Sequence, residues 1–128
     1  MTLDSSALLA ILLSEAGSLE LVDRILEADS VRIGAPTLVE AGMVFSARRG
    51  KPSTREVDDL VRELGVTVVP FAEAESQAAL AAFQRFGRGR HRAALNFGDC
   101  LAYATAAVAG DTLLFVGDDC RRTDIAPA

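Results

Sequence analysis

Short apolar runs alternate with longer stretches of helical period along this chain, the pattern of an α/β domain with a largely parallel sheet. Runs at 2–4, 31–34, 66–69 and 113–116 are predicted as strands, the third being β-branched and closed by Pro70. Helices are predicted at 6–13 and 17–28, and another at 37–49, where Pro36 suits the first turn and Gly50 and Pro52 mark the stop. Ser53 has Glu56 three residues on, the spacing of a capping box, and opens a helix that ends by Gly65. Residues 72–86 are rich in Ala and Glu, with Leu80 and Phe83 at helical spacing, and form the next helix. Residues 87–92 are its loop, and 96–109 make a strongly apolar helix closed by Gly110. No repeat, low-complexity segment or linker interrupts this order, so residues 1–128 read as one domain.

Composition narrows the class. With 128 residues, half of them hydrophobic, the chain has material for one real core and too little for two domains of ordinary size. No uncharged run approaches the ~20 residues that span a bilayer, and no basic residue precedes the first apolar segment. The expectation is a soluble, cytoplasmic protein without membrane association. Cys100 and Cys120 lack CxxC spacing and a histidine-rich context, which disfavours a disulfide scaffold or a thiolate zinc site. A net charge of −5 excludes a general electrostatic grip on nucleic acid. Any such grip is local, and two clusters offer one: Arg85, Arg88, Arg90, His91 and Arg92, and Arg48, Arg49 and Lys51. The first approaches Asp99 in sequence and suits phosphate contacts, or is a solvated loop; the second closes a helix, where the dipole favours cations whatever the function.

The chemistry sits in acids at matching ends of successive βα units, where ligands collect in an open parallel sheet. Asp4 ends the first strand, Glu40 follows the second, Asp99 starts the apolar helix, and Asp118 and Asp119 follow the last strand. Glu40 has no basic partner at helical spacing, and Asp99 is the sole charge between Arg92 and Asp111. Taken singly, each has a plainer role: Asp4 as a helix cap shared with Ser5 and Ser6, Glu40 as a solvated acid, Asp99 as a first-turn acid, the aspartate pair as a turn. Taken together, two carboxylates ~4 Å apart repel by ~4 kcal/mol at an effective dielectric of 20, and shared protons or an ion relieve that. Oxygen donors alone suit Mg²⁺ or Mn²⁺; zinc is disfavoured because His91 is the only imidazole.

Four segments in register resemble the PIN-domain toxins of VapBC toxin–antitoxin systems: Leu-Asp-Ser-Ser-Ala at 3–7, Pro-Thr-Leu-Val-Glu at 36–40, Asn-Phe-Gly-Asp-Cys-Leu-Ala-Tyr-Ala at 96–104 and Leu-Leu-Phe-Val-Gly-Asp-Asp at 113–119. The resemblance implies a three-layer α/β/α PIN-like domain with a central, mostly parallel sheet. It implies Mg²⁺- or Mn²⁺-dependent endoribonuclease activity in which water attacks the phosphodiester in line, leaving a 5′-phosphate and a 3′-hydroxyl. Asp4 and Asp99 match the family's metal ligands and Glu40 its third acid. The fourth acid is Asp118 or Asp119, since the family's Asp-Phe pair is replaced by Asp119-Cys120. Ser6 matches a small hydroxyl residue lining such pockets, or caps the helix. A cognate VapB-like antitoxin, an RNA substrate bound partly through Arg85, Arg88, Arg90 and Arg92, and a homodimer are also implied.

A receiver domain would need a lysine after its last strand, and none follows Lys51; a haloacid-dehalogenase site would need Asp-x-Asp at the first strand, where residue 6 is Ser. The alternative that stays open is a non-catalytic module of similar fold whose acids hold a structural ion or a basic peptide.

Overall fold

The computed structural model describes all 128 residues. Its strands β1 (Thr2–Leu3), β2 (Arg32–Gly34), β3 (Thr67–Val69) and β4 (Leu113–Leu114) form one parallel sheet in the order β3-β2-β1-β4. Helices α1 (Ser5–Leu12) and α2 (Ser18–Glu27) connect β1 to β2; α3 (Ala35–Arg49) and α4 (Thr54–Glu63) connect β2 to β3. Helices α5 (Glu73–Phe86) and α6 (Phe97–Ala109) then carry the chain back past β1 to β4. The direction of winding therefore reverses between β1 and β4, and the crevice beyond their carboxyl ends is where such a sheet binds ligands.

The two faces of the sheet are covered by different helices, which gives the three-layer α/β/α architecture that the sequence implied. Leu3, Ile33 and Leu114 pack with buried residues of α1 to α4, among them Leu8, Ile25, Phe45 and Val57. Leu113 faces the opposite way, among Ala82 and Phe86 of α5 and Ala102, Tyr103 and Ala106 of α6. Adjacent residues of β4 thus serve opposite cores, as the two-residue repeat of a strand requires. No helix is long and apolar enough to cross a membrane.

All the predicted elements form, and the differences lie at their ends. The last strand stops at Leu114 because the Val116 amide donates to the Ser6 hydroxyl at 3.0 Å and so leaves the ladder. The third begins at Thr67 because the Val66 amide is still bonded to Val61, at the end of α4. Ser53 does not form the expected capping box. Its hydroxyl donates to the Lys51 carbonyl at 3.2 Å and its amide to Ser46 Oγ at 3.0 Å, so it ties the α3–α4 turn instead.

Helix α6 crosses close to the sheet because its buried face is made of small residues, Gly98, Ala102, Thr105 and Ala106. The approach is tightest at Gly34, where a Cβ would stand 2.6 Å from Thr105 Oγ1. That hydroxyl is buried and bonded to the Leu101 carbonyl at 3.0 Å, so it has little room to yield. Gly34→Ala is expected to destabilise the chain by about 1–3 kcal/mol in urea unfolding, with part of the loss recovered by Thr105→Ala in the same chain. Simple addition of the two effects would show that this contact does not set the spacing.

Candidate active site

Asp4 is the fixed point of the site. Its amide donates to the Leu114 carbonyl at 2.9 Å, which extends the pairing of β1 with β4 by one residue and sets where its side chain leaves the sheet. Its Oδ2 accepts the Ser6 amide at 3.0 Å, capping α1, and also the Ser6 hydroxyl. Since Ser6 Oγ in turn accepts the Val116 amide, one hydroxyl joins the ends of β1 and β4 through the carboxylate between them. The capping and pocket-lining roles of Asp4 and Ser6 are therefore held together. Asp4 is nearly fully buried, and its Oδ1 has no hydrogen-bond partner. Burial pushes its pKa above the usual carboxylate value, opposed by the Ser6 hydroxyl and amide and the Ser5 amide.

Glu40 comes from the second turn of α3, which Pro36 and the end of β2 aim at the same crevice. Its carboxylate lies against α6 at Gly98: a Cβ there would meet Glu40 Oε1 at 2.3 Å and Oε2 at 2.5 Å. Only a glycine leaves that seat open. Glu40 Oε2 is buried without a partner. Burial raises the Glu40 pKa, the Ser5 hydroxyl opposes this, and the charges of Asp4 and Asp99 raise it further.

Asp99 stands at the start of α6 in a capping box the sequence spells as Asn-x-x-Asp. The Asn96 amide donates to Asp99 Oδ2 at 2.8 Å and the Asp99 amide to Asn96 Oδ1 at 3.0 Å. One carboxylate oxygen is thus occupied and the half-buried side chain is oriented. Its pKa is raised by burial first, against the Asn96 amide, and then by the charges of Asp4 and Asp119; Arg88 pulls the other way.

Asp4, Glu40 and Asp99 line a single cavity of about 230 Å³ with Ser5, Ser6 and Asn96. They are brought together from the ends of three elements, within range of each other's charge. They do not close on one point: no three acidic, histidine or cysteine side chains stand near enough to share an ion with every ligand in place. Even so, Asp4 Oδ1 and Glu40 Oε2 are buried, unpartnered hard oxygen donors on two residues that line an acidic cavity, which fits a hard divalent cation. Mg²⁺ characteristically takes one or two carboxylates and fills its shell with water and phosphate, so a complete cage is not required.

The other predicted residues separate. Asp118 is exposed and paired with Arg122 at 3.9 Å, whereas the charge of Asp119 acts on Asp99 and on the buried thiol of Cys120. That thiol is pushed far up by burial and then by Asp4, Asp99 and Asp119, and Cys100 is raised likewise, so both cysteines are protonated packing residues. Arg85 bonds Asp124 at 2.7 Å, and Tyr103, whose pKa burial and Asp124 push up to about 12, donates to the same carboxylate at 2.6 Å. Arg90 lies over the Phe83 ring at 5.2 Å, while the Arg92 carbonyl accepts from Arg122 at 3.2 Å. Of the four arginines, Arg88 is the one whose charge reaches an acid of the cavity.

Gly98, Ser5 and Asn96 were missed in the sequence reading. The Asn-x-x-Asp spacing was a readable signal for Asn96; nothing local marks Gly98, whose neighbour Glu40 is 58 positions away. Because the clash falls on the free end of a flexible side chain, Gly98→Ala is expected to fold normally. It gains up to ~1 kcal/mol of helix propensity but displaces the Glu40 carboxylate. Glu40 should then titrate nearer its ordinary value of 4.5 in a carboxyl-carbon NMR titration, and an unmoved titration would show that the seat tolerates a methyl group.

Comparisons with known proteins bear on the family and the fold. The PIN domain family model matches residues 1–126. A VapC ribonuclease of Mycobacterium bovis is 40% identical over 127 residues, covering 98% of this chain and 96% of that protein. A ribonuclease VapC of Mycolicibacterium smegmatis is 41% identical over 127 residues, with 98% of each covered. A toxin–antitoxin complex from Klebsiella pneumoniae contains a chain of the same fold, with a TM-score of 0.67 at 14% identity, over 91% of this chain and 86% of that one. The chain belongs to the PIN domain family, among its VapC members.

Proposed function

We propose that this protein is the toxin of a toxin–antitoxin pair, an endoribonuclease that hydrolyses RNA phosphodiesters with Mg²⁺ or Mn²⁺. The observation that carries the reading is the shared cavity of Asp4, Glu40 and Asp99, with two buried carboxylate oxygens left unpartnered. The ribonuclease names of relatives about 40% identical over nearly the whole chain support it.

Asp4 and Asp99 would hold the ion, with Glu40 beside them and Asp119, rather than the ion-paired Asp118, as the fourth acid. When bound, the ion lowers the pKa of a water and neutralises charge building on the phosphate. The chain's own residues do the positioning. Ser6 fixes Asp4 against the end of β4, Asn96 fixes Asp99, and Gly98 admits Glu40. Glu40, made more basic by burial and by its acidic neighbours, is suited to accept a proton from the attacking water.

An antitoxin is the partner implied by the relatives' naming and by the fold shared with a chain of a toxin–antitoxin complex. Exposed apolar residues beside the cavity, Val39 and Met43 on α3, Leu80 and Phe83 on α5, and Phe97, supply surface for that partner and for a second copy of the chain.

Asp4→Asn and Asp99→Asn are each expected to lower cleavage of single-stranded RNA by at least ~100-fold while the fold persists, and chelation of divalent ions to abolish it. Full cleavage by either variant, freed of contaminating ribonuclease, would refute the assignment. Acidity supplies a second test. Without a divalent ion, the folded chain keeps protons on Asp4, Glu40 and Asp99 at a pH where the unfolded chain has released them. Stability should therefore fall as pH rises from the ordinary values of 3.8 and 4.5 through the raised folded ones. Mn²⁺ binds the ionised carboxylates, so it should raise the melting temperature more at neutral than at acid pH, and a shift that ignores pH would count against these ligands.

A further inference from the structure

The cavity that holds the acids does not end with them. It runs on to Glu15 and Arg48, so that Glu40, Val44 and Arg48, at i, i+4 and i+8 of α3, all line it. One stripe of the helix thus leads from acid to cation over about 12 Å, at 1.5 Å per residue. Arg48 is the single cation among the lining residues. Its Nη1 meets Glu15 Oε1 at 3.1 Å, with the two side chains 53% and 45% exposed. An ion pair that open to water is weak and readily exchanged. It also leaves the rest of the guanidinium fork without protein partners.

A polyanion lying in this trough meets four carboxylates, Asp4, Glu15, Glu40 and Asp99, and one guanidinium. A divalent ion answers the charge at the reacting phosphate, but the neighbouring phosphates need their own cation, and a planar fork takes phosphate oxygens two at a time. Building on the ribonuclease reading, we propose that Arg48 is a phosphate subsite that seats the RNA backbone to one side of the bond being cut. Glu15 occupies it until RNA arrives. On binding, the exposed Glu15–Arg48 pair is exchanged for an Arg48–phosphate pair and Glu15 returns to solvent.

The test is kcat/KM in Mn²⁺ for a short single-stranded RNA with one mapped cut, its flanking phosphates replaced one at a time by neutral methylphosphonates. Neutralising the phosphate seated on Arg48 is expected to slow the wild-type chain about tenfold, the loss of one charge-assisted pair. Arg48→Ala should be slowed about as much on unmodified RNA and show no further loss at that one position, a silencing that a general loss of fold would not produce. Arg48→Lys should recover part of the rate, and Glu15→Gln should raise it. An Arg48→Ala profile identical to wild type, still losing rate at that same position, overturns the subsite while leaving the ribonuclease reading in place. A wild-type chain that cuts no RNA overturns both, and that result is read before any variant is compared.

Discussion

The burial of a carboxylate at the carboxyl end of the central strand is the constraint on which the rest depends. Asp4 cannot move away, because its amide is held in the sheet by Leu114 and its Oδ2 is engaged by the first turn of the helix it caps. It cannot be fully satisfied either, since Oδ1 is enclosed without a donor. A buried polar atom of this kind costs about 1–3 kcal/mol, more when charged, and a fold keeps one where a ligand compensates. The raised pKa values of its two neighbours are the same constraint felt from α3 and α6.

Close approach of α6 makes that arrangement possible. Two glycines from different parts of the chain carry it: Gly34 at the end of β2 admits Thr105, and Gly98 in α6 admits the Glu40 carboxylate. A helix of bulkier residues would stand off the sheet and leave the acids apart. The site is thus built from missing side chains as much as from charged ones, and its acids are aimed by short polar residues, Ser6 and Asn96, bonded to them within two or three positions. Fixing these side chains in advance is what electrostatic catalysis of phosphate chemistry demands.

The charges also divide by task. Two arginine side chains of the basic cluster are engaged with their own chain, Arg85 with Asp124 and Arg90 over Phe83, and the Arg92 backbone carbonyl accepts from Arg122. These contacts staple the segment after β4 to the end of α5 and shape the loop that carries Arg88. A chain of net charge −5 can address a polyanion only through such local cations, and Arg48 lies where α3 brings it into the trough with the acids.

By itself the sequence determined the α/β class, the order of ten helices and strands, and three acids, Asp4, Glu40 and Asp99, that the fold brings to one cavity. These are written in period, in turn residues and in charges isolated on apolar segments, all of which act over a few positions. It did not determine the ends of β3 and β4, which are set by bonds from Val66 to α4 and from Val116 to Ser6. Nor did it tell Asp119 from Asp118, of which Asp118 pairs with Arg122 while the charge of Asp119 acts on Asp99. The seat of Glu40 on Gly98 and the place of Arg48 in the trough were likewise invisible. Each depends on two helices meeting at a particular distance and angle, and that is fixed only when the whole core packs.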